Sequence, residues 1–225
     1  MRTEKQLLNR RNFLRNTATI ATGLTGLSML PLGGWAAGIP VSNVENDINI
    51  IGPKAGYSPQ VGTLVSMMDW MRFVVLLSVS KMQTTELDYL HDAKSNTIGA
   101  MLLHLAATER FYQIHTFEGK KWGDWSEADK KRWSIASELG EPAREAIKGH
   151  DLNYYLDTLK EVRQHTLDEF KKRDDKWLLS VDKEWPWGPT NNYCKWFHVC
   201  EHESNHNGQI KWIAGRLPGA KPHEG

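Results

Sequence analysis

Near its C-terminal end the chain reads H-V-C-E-H-E-S-N-H-N-G-Q over residues 198–209. His198, His202 and His206 recur in it at steps of four. Each such step turns a side chain by only about 40° around an α-helix, so the three imidazoles form a slanted row on one face. This stretch predicts a helix that presents histidines rather than a purely apolar core face.

The helix that carries this row has clear limits in the sequence. W-P-W-G-P (residues 185–189) forces a loop before it, and Thr190 is the predicted N-cap. The segment then runs to about Arg216 and ends before Pro218, since proline and glycine follow there. The last long helix of the chain is therefore predicted over about 190–216.

Three more segments of the chain have apolar residues at helical spacing, namely residues 58–80, 96–116 and 151–172. Between the second and the third, residues 126–139 open with a Ser-x-x-Asp start, which predicts a short helix in the crossover. No strand-like alternation competes. The pattern predicts an all-α four-helix bundle over residues 57–217, with a longer crossover that carries a short extra helix. Residues 218–225 form a C-terminal tail.

The first 37 residues have the three-part layout of an export signal. A basic start leads into N-R-R-N-F-L-R (residues 9–15), then a mildly apolar stretch (residues 18–32), then small residues at Gly34, Ala36 and Ala37. The segment resembles a twin-arginine signal, although Asn9 stands where that pattern has Ser or Thr. An ordinary signal or an uncleaved anchor stays open as the alternative.

This leader predicts a bacterial protein handled by the twin-arginine export machinery and located in the periplasm or otherwise outside the cytoplasm. Its apolar stretch is too short and too polar for a stable membrane span. Residues 38–56 contain glycine and proline at both ends and lack helical periodicity, so they are predicted to be a linker.

The distribution of charged residues argues against nucleic acid as a partner. The leader holds five basic residues and one acid; subtracting these from the 28 basic and 27 acidic residues of the chain leaves 23 and 26. No basic cluster interleaved with aromatics occurs outside the leader, so nucleic acid is not an expected partner. The sequence leaves a homodimer open.

Only two cysteines occur, Cys194 and Cys200. Six residues apart on one helix, they lie about 9 Å apart along its axis, beyond the usual disulfide span. An exported protein can do without a disulfide if its core is large, and ten tryptophans contribute to that core here.

The histidine row can bind a metal, because two imidazoles at i and i+4 can converge on one ion. A third ligand must come from another helix, and His104 is the best candidate because it lies at the edge of the apolar arc of the second helix. The alternative is that these are core-edge histidines, each bonded to a carbonyl or carboxylate. His91, His115, His150, His165 and His223 show no such pattern and are interpreted as ordinary surface or core-edge residues.

Residues 202–206 also spell H-E-x-x-H, the helix signature of zinc proteases, in which Glu203 would be the general base. In the extended form of that motif a glycine and a third histidine follow, but Gln209 and Trp212 stand at those positions. A protease would therefore lack its third ligand, and this is the least favoured alternative.

Two motifs in this order resemble those of the DinB-like (DinB/YfiT-type) metal-binding four-helix bundles. They are L-L-H-L-A-A-T-E-R-F-Y (residues 102–112) and H-x-x-x-H-x-x-x-H-x-G-Q (residues 198–209), and the likeness extends over about residues 57–217. The resemblance implies a divalent metal ion (Zn, Ni, Fe or Mn) held by three histidines.

Carried over by position, the ligands implied by the resemblance are His104, His202 and His206, whereas His198 lies one turn too early. Asn207 stands where many members have arginine, which leaves any role of that basic residue in doubt.

Three neutral imidazoles leave metal positions open for water or substrate, the arrangement expected of a catalytic site. The sequence therefore predicts a metal-dependent hydrolase or thiol transferase acting on a small molecule. Export counts against the transferase, since low-molecular-weight thiols are mainly cytoplasmic. A non-catalytic exported protein that binds a metal or ligand is the alternative. Metal-bound water is the expected reactant, and Glu203 is only a weak candidate for a catalytic residue.

Three other side chains, Glu109, Trp185 and Trp187, have expected roles near the triad. Glu109, about 140° round the helix from His104, is expected to be structural. Trp185 and Trp187 are candidates for a roof over the site.

Overall fold

The structure, a computed structural model, describes residues 48–220 and confirms the all-α fold. The predicted leader and most of the predicted linker lie outside the described residues. The elements in chain order are α1 (Pro59–Val79), α2 (Thr84–Leu87), α3 (Ile98–Thr116), α4 (Glu127–Glu138), α5 (Gly140–Ala146), α6 (Leu152–Phe170), α7 (Asp175–Leu179), β1 (Val181–Asp182), β2 (Thr190–Asn191) and α8 (Asn192–Ala214).

The long helices α1, α3, α6 and α8 correspond to the four predicted segments. One predicted cap is wrong: Thr190 lies in the two-residue strand β2, where it pairs with Asp182, and Asn191 caps α8 instead. The Asn191 side chain accepts a hydrogen bond from the backbone N–H of Cys194 at 2.8 Å. The cap lies one residue later than predicted because pairing with Asp182 holds Thr190 in a strand.

Several short elements were not predicted. Helix α2 lies between the first two predicted helices, and a capping box between Gln83 and Glu86 closes its first turn. Helices α5 and α7 and the small hairpin are of similar size. Elements this short carry too few periodic positions to be recognised in a sequence, and their local hydrogen bonds and tertiary contacts hold them in place.

The four long helices pack as two pairs joined through α3 and α8. Helix α1 lies along α8, α3 packs against both α6 and α8, and the crossover helix α4 lies on α3. The end of the predicted linker lies along α1, where the Gly52 N–H donates to the Ser66 hydroxyl and Trp70 Nε1 donates to Asn49 Oδ1. The site described below is formed where α3 and α8 meet.

A layer of four buried charged side chains crosses the bundle, with one residue from each long helix: Arg72, Glu109, Arg163 and Glu203, which we call the ion layer. None is more than 7% exposed. Arg72 Nη2 donates to Glu109 Oε2 at 2.9 Å and to Glu203 Oε1 at 2.6 Å. Arg163 donates to the same two carboxylates, each at 2.8 Å. The four formal charges cancel.

Backbone and hydroxyl groups extend this network. Arg72 Nη1 donates to the Leu159 carbonyl and Arg163 Nη1 to the Met68 carbonyl, each at 3.0 Å, while the Thr166 hydroxyl donates to Glu109 at 2.6 Å. These contacts offset part of the cost of burying four charges, while Glu203 Oε2 is buried without a hydrogen-bond partner.

The ion layer also divides the apolar core. In each long helix the charged residue stands between residues of one hydrophobic cluster and residues of the other; Arg72, for example, lies between Met68 and Val75. Helix α1 is apolar enough by composition to cross a membrane, with a mean hydropathy of 1.4 over its most apolar 18 residues. Because Arg72 ties α1 into the ion layer, we assign α1 as a core helix of the bundle.

Replacing Glu109 by Gln should lower the free energy of unfolding by about 3–5 kcal/mol at pH 7, because it leaves a buried guanidinium charge uncompensated. The matched control is Glu161→Gln, which removes an exposed pair with Arg132 and should change stability by about 0.5 kcal/mol or less. Urea denaturation measures both. Equal effects of the two substitutions would show that the ion layer is not a structural constraint.

The difference between wild type and Glu109→Gln should also depend on pH. Burial by itself raises the pKa of Glu109, but the Arg163 and Arg72 charges outweigh it and hold that pKa below its usual value. A depressed carboxyl pKa stabilises the fold above the unfolded value of about 4.3, and this contribution is lost as pH falls through the folded pKa. The difference should therefore shrink below about pH 4.

Candidate metal centre

The structure brings His104 of α3 together with His202 and His206 of α8. One ring nitrogen from each lies within 4.8 Å of the other two, and within residues 48–220 this is the one group of His, Cys, Asp or Glu side chains so arranged. The ring centroids are 4.7 to 4.9 Å apart. The predicted histidine triad is thus a compact cluster between two helices.

The crossover helix α4 sets the orientation of His104. Its Nδ1 lies 2.8 Å from the backbone carbonyl of Ala136, so Nδ1 carries the proton and donates. Nε2 then bears the lone pair and points into the cluster, where it lies 2.7 Å from His202 Nε2. A carbonyl that fixes the tautomer of a ligand imidazole in this way is typical of metal sites in proteins.

Burial keeps the cluster uncharged. Desolvation lowers the pKa of His202 to about 3, and the neighbouring His104, His206 and His198 lower it further. Burial and then His104 lower the pKa of His206 to about 4, against a smaller opposing effect of Gln209. Desolvation also lowers the pKa of His104. All three imidazoles are therefore neutral at physiological pH, the protonation state that can bind a metal.

The residues present fit a divalent metal. His206 Nδ1 is buried without a hydrogen-bond partner, and an unpaired buried nitrogen is otherwise costly. For tetrahedral zinc, two nitrogens at 2.0–2.1 Å from the ion are about 3.3 Å apart, a small adjustment from the 2.7 Å between His104 and His202. A set of nitrogen donors without carboxylates favours Zn, Ni or Fe over Mn.

His198, the first histidine of the row, is next to the cluster but has another partner. Its Nδ1 lies 2.9 Å from the Tyr112 hydroxyl. Its ring centroid is 5.3 Å from that of His202 and 5.2 Å from that of Trp187. Trp187 thus stands beside His198 at the edge of the site, whereas Trp185 is buried in the core.

Glu203 and Glu109 both belong to the ion layer rather than to the histidine cluster. Glu203 Oε1 accepts hydrogen bonds from Arg72 and Arg163, and Glu203 Oε2 is buried without a hydrogen-bond partner. The catalytic role of Glu203 stays a prediction, and its position argues against it. Glu109 is fully buried, in keeping with the structural role expected for it.

Of the other histidines, His115 was interpreted as an ordinary core-edge residue. It is buried, and its Nδ1 donates to the Lys120 carbonyl at 2.9 Å. The sequence shows one charged residue among the apolar positions of each long helix, but it does not show that these four residues meet in one layer.

The fold and the paired histidine motifs define a DinB-like four-helix bundle with a three-histidine site. Within that class, the profile of the mycothiol-S-transferase family matches residues 63–219, and the chain belongs to this family.

Comparison with curated protein sequences finds no match. Among solved structures, the chain is similar to a protein described as a conserved protein of locus from Enterococcus faecalis. The identity is 13% and the TM-score 0.49, over 67% of this chain and 92% of that one. A likeness at that level carries no argument about function.

Untagged protein loaded with zinc should contain about one metal ion per chain, and His104→Ala and His206→Ala should each lose it, because two imidazoles alone hold zinc weakly. His165→Ala, which removes an exposed histidine, is the matched control and should keep the metal. Elemental analysis after dialysis gives the stoichiometry. Undiminished metal in both triad variants would rule out this site.

Proposed function

We propose that the protein is a metal-dependent enzyme that transfers a low-molecular-weight thiol to a small electrophilic acceptor. The observation that carries this proposal is the convergence of three neutral imidazoles from two helices, with no carboxylate in the group. The family to which the chain belongs takes its name from mycothiol transfer, which supports a thiol as the donor.

His104, His202 and His206 would hold a divalent ion, which would lower the pKa of a thiol bound beside them and so favour its nucleophilic thiolate. The protein side chains position this chemistry. The Ala136 carbonyl holds His104 in the required tautomer, and burial holds His202 and His206 unprotonated. The thiolate sulfur forms a bond to carbon of the acceptor; the leaving group departs with its electron pair, and the thiol proton is released to solvent.

The position of Glu203 favours a thiol transferase over a hydrolase. Hydrolysis by metal-bound water commonly uses a nearby carboxylate as general base. Here Glu203 Oε1 is bonded to Arg72 and Arg163, and within the described residues no carboxylate belongs to the histidine group. A thiol has an ordinary pKa of about 8.5, far below that of water, so it depends less on such a base. The site therefore fits a reaction in which the nucleophile arrives already able to ionise.

A second candidate, a metal-dependent hydrolase, is favoured by the leader. Residues 9–15 resemble a twin-arginine signal, and we propose that the protein acts outside the cytoplasm, where low-molecular-weight thiols are scarce. A non-catalytic metal- or ligand-binding protein is the third alternative. The experiments below separate these proposals.

Zinc-loaded protein should form an S-conjugate when mixed with mycothiol and monobromobimane, at a rate at least tenfold above the rate without protein, as mass spectrometry of the product measures. His104→Ala should remove the excess rate because the bound thiol loses its activation, whereas His165→Ala should not. Hydrolysis of activated esters in the absence of thiol would instead support the hydrolase. Metal binding with neither reaction would support the binding protein.

Changing both Arg10 and Arg11 to Lys should retain the full-length precursor in the cytoplasm, because the paired guanidiniums are the defining feature of the signal that this leader resembles. Cell fractionation followed by immunoblotting measures the distribution. The single change Arg15→Lys keeps the pair and the charge and serves as the control. Unchanged export of the double variant would exclude the twin-arginine route.

A further inference from the structure

Gly208 is a glycine inside a long helix that no packing contact explains. An added Cβ at Gly62 would lie 2.5 Å from Lys54 N, and one at Gly99 would lie 2.5 Å from Tyr155 Oη, so close approach accounts for both. At Gly208 an added Cβ would meet nothing within 4 Å. Glycine lowers helix stability relative to alanine, so its presence here suggests that the open space itself is used.

The space above Gly208 belongs to an open cavity of about 530 Å³. Residues from the start of α3, from the second half of α8 and from the loop at positions 94–96 form its walls. The helical lining residues are Met101, Asn205, Gly208, Gln209, Trp212 and Ile213. A volume of this size is typical of small-molecule sites.

This cavity begins one helical turn from the histidine cluster. Asn205 follows His202 by three residues, Gln209 follows His206 by three, and Met101 precedes His104 by three. Residues three apart are neighbours on a helix surface. His198 lies one turn before His202, so the cavity is on the opposite side of the cluster from the Tyr112–His198 contact.

The walls combine an apolar surface with amide groups and one cation. Met101 and Ile213 are buried apolar side chains, and Trp212 is 47% exposed. The Arg216 guanidinium lies 3.8 Å from the centre of the Trp212 ring, and His91 packs edge-on at 4.7 Å, so the indole is held as a fixed wall.

At the polar rim, Gln209 Nε2 donates to Asn205 Oδ1 at 2.9 Å. Of the nine residues that line the cavity, Lys94 alone is ionisable, and it is positively charged. The cavity therefore suits a molecule with an apolar body and an anionic end.

We propose that this cavity is the binding site for the non-reacting part of the substrate, with a flat apolar group against Trp212 and an anionic group toward Lys94. Gly208 leaves room in the cavity for this part of the substrate. The substrate is then an amphipathic anion whose reacting end reaches the metal centre. This inference rests on the proposed function for the identity of the ligand as a substrate, but the binding site can be tested by itself.

The test uses naphthalene-1-acetate as the anionic probe and naphthalene-1-methanol as its neutral analogue, with isothermal titration calorimetry on zinc-loaded protein. Gly208→Leu should raise the Kd of both probes by about tenfold or more, because the added side chain occupies part of the cavity. Gly208→Ala adds one methyl group to open space and should change the Kd by less than about twofold. Lys211→Leu, on an exposed position of the same helix, should leave both Kd values unchanged.

Lys94→Gln should raise the Kd of the acid by about twofold to fivefold, the size expected for one exposed charge, and leave the alcohol unaffected. Wild-type affinity in Gly208→Leu, or equal effects of Lys94→Gln on the two probes, would overturn the proposal. If Gly208→Leu still binds zinc, the loss of probe affinity is a local effect at the cavity and not a result of unfolding. If the probe result holds but no thiol transfer is found, the proposed reaction fails while the binding site stands.

Discussion

The ion layer is the constraint on which the rest of the structure depends. Its two arginines and two glutamates come from four different helices, and each carboxylate is shared by both guanidiniums. A slide of any one helix by a turn, about 5.4 Å, would remove its charge from the layer and leave the others unpaired in an apolar core. Buried ion pairs add little net stability compared with apolar packing, but they penalise wrong alignments strongly. The relative heights of α3 and α8, and with them the meeting of His104 with His202 and His206, follow from this alignment.

Much of the fold could be predicted from the sequence because it depends on local patterns. The four long helices have sustained apolar periodicity, and the histidine cluster has a row on one helix and a motif on another. The ion layer could not be predicted from the sequence in the same way. Arg72 and its partners Glu109 and Glu203 are 37 and 131 residues apart, and any buried charge in an apolar helix has many conceivable partners until the packing is known. The N-cap of α8 differs from the prediction for a similar reason. Pairing between the short strands β1 and β2 holds Thr190 in a strand, and Asn191 is then the cap.

The crossover helix shows why part of the site leaves no trace in the sequence. Ala136 contributes a backbone carbonyl to His104, and any residue at that position could provide the same atom. What matters is where α4 lies on α3, which the apolar residues Trp133 and Ala136 determine by packing into the core. Gly208 is the opposite case. The sequence shows a glycine at this position, but only the structure shows that an added side chain would meet open space. At Gly62 and Gly99, by contrast, an added Cβ would lie too close to a neighbouring residue.

Charge balance links the metal centre to the cavity beside it. The ion layer is neutral within itself, so it offers no compensation for a further cation nearby. The three imidazoles are neutral as well, because burial depresses their pKa values. A divalent ion held by them would carry its full double charge into a partly buried site, and Lys94 at the cavity rim adds another positive charge rather than offsetting it. Anionic groups of a bound ligand would offset part of this positive charge. In the proposed reaction a thiolate would offset one charge and an anionic group in the cavity a second, so we expect an anionic substrate to be favoured over a neutral one.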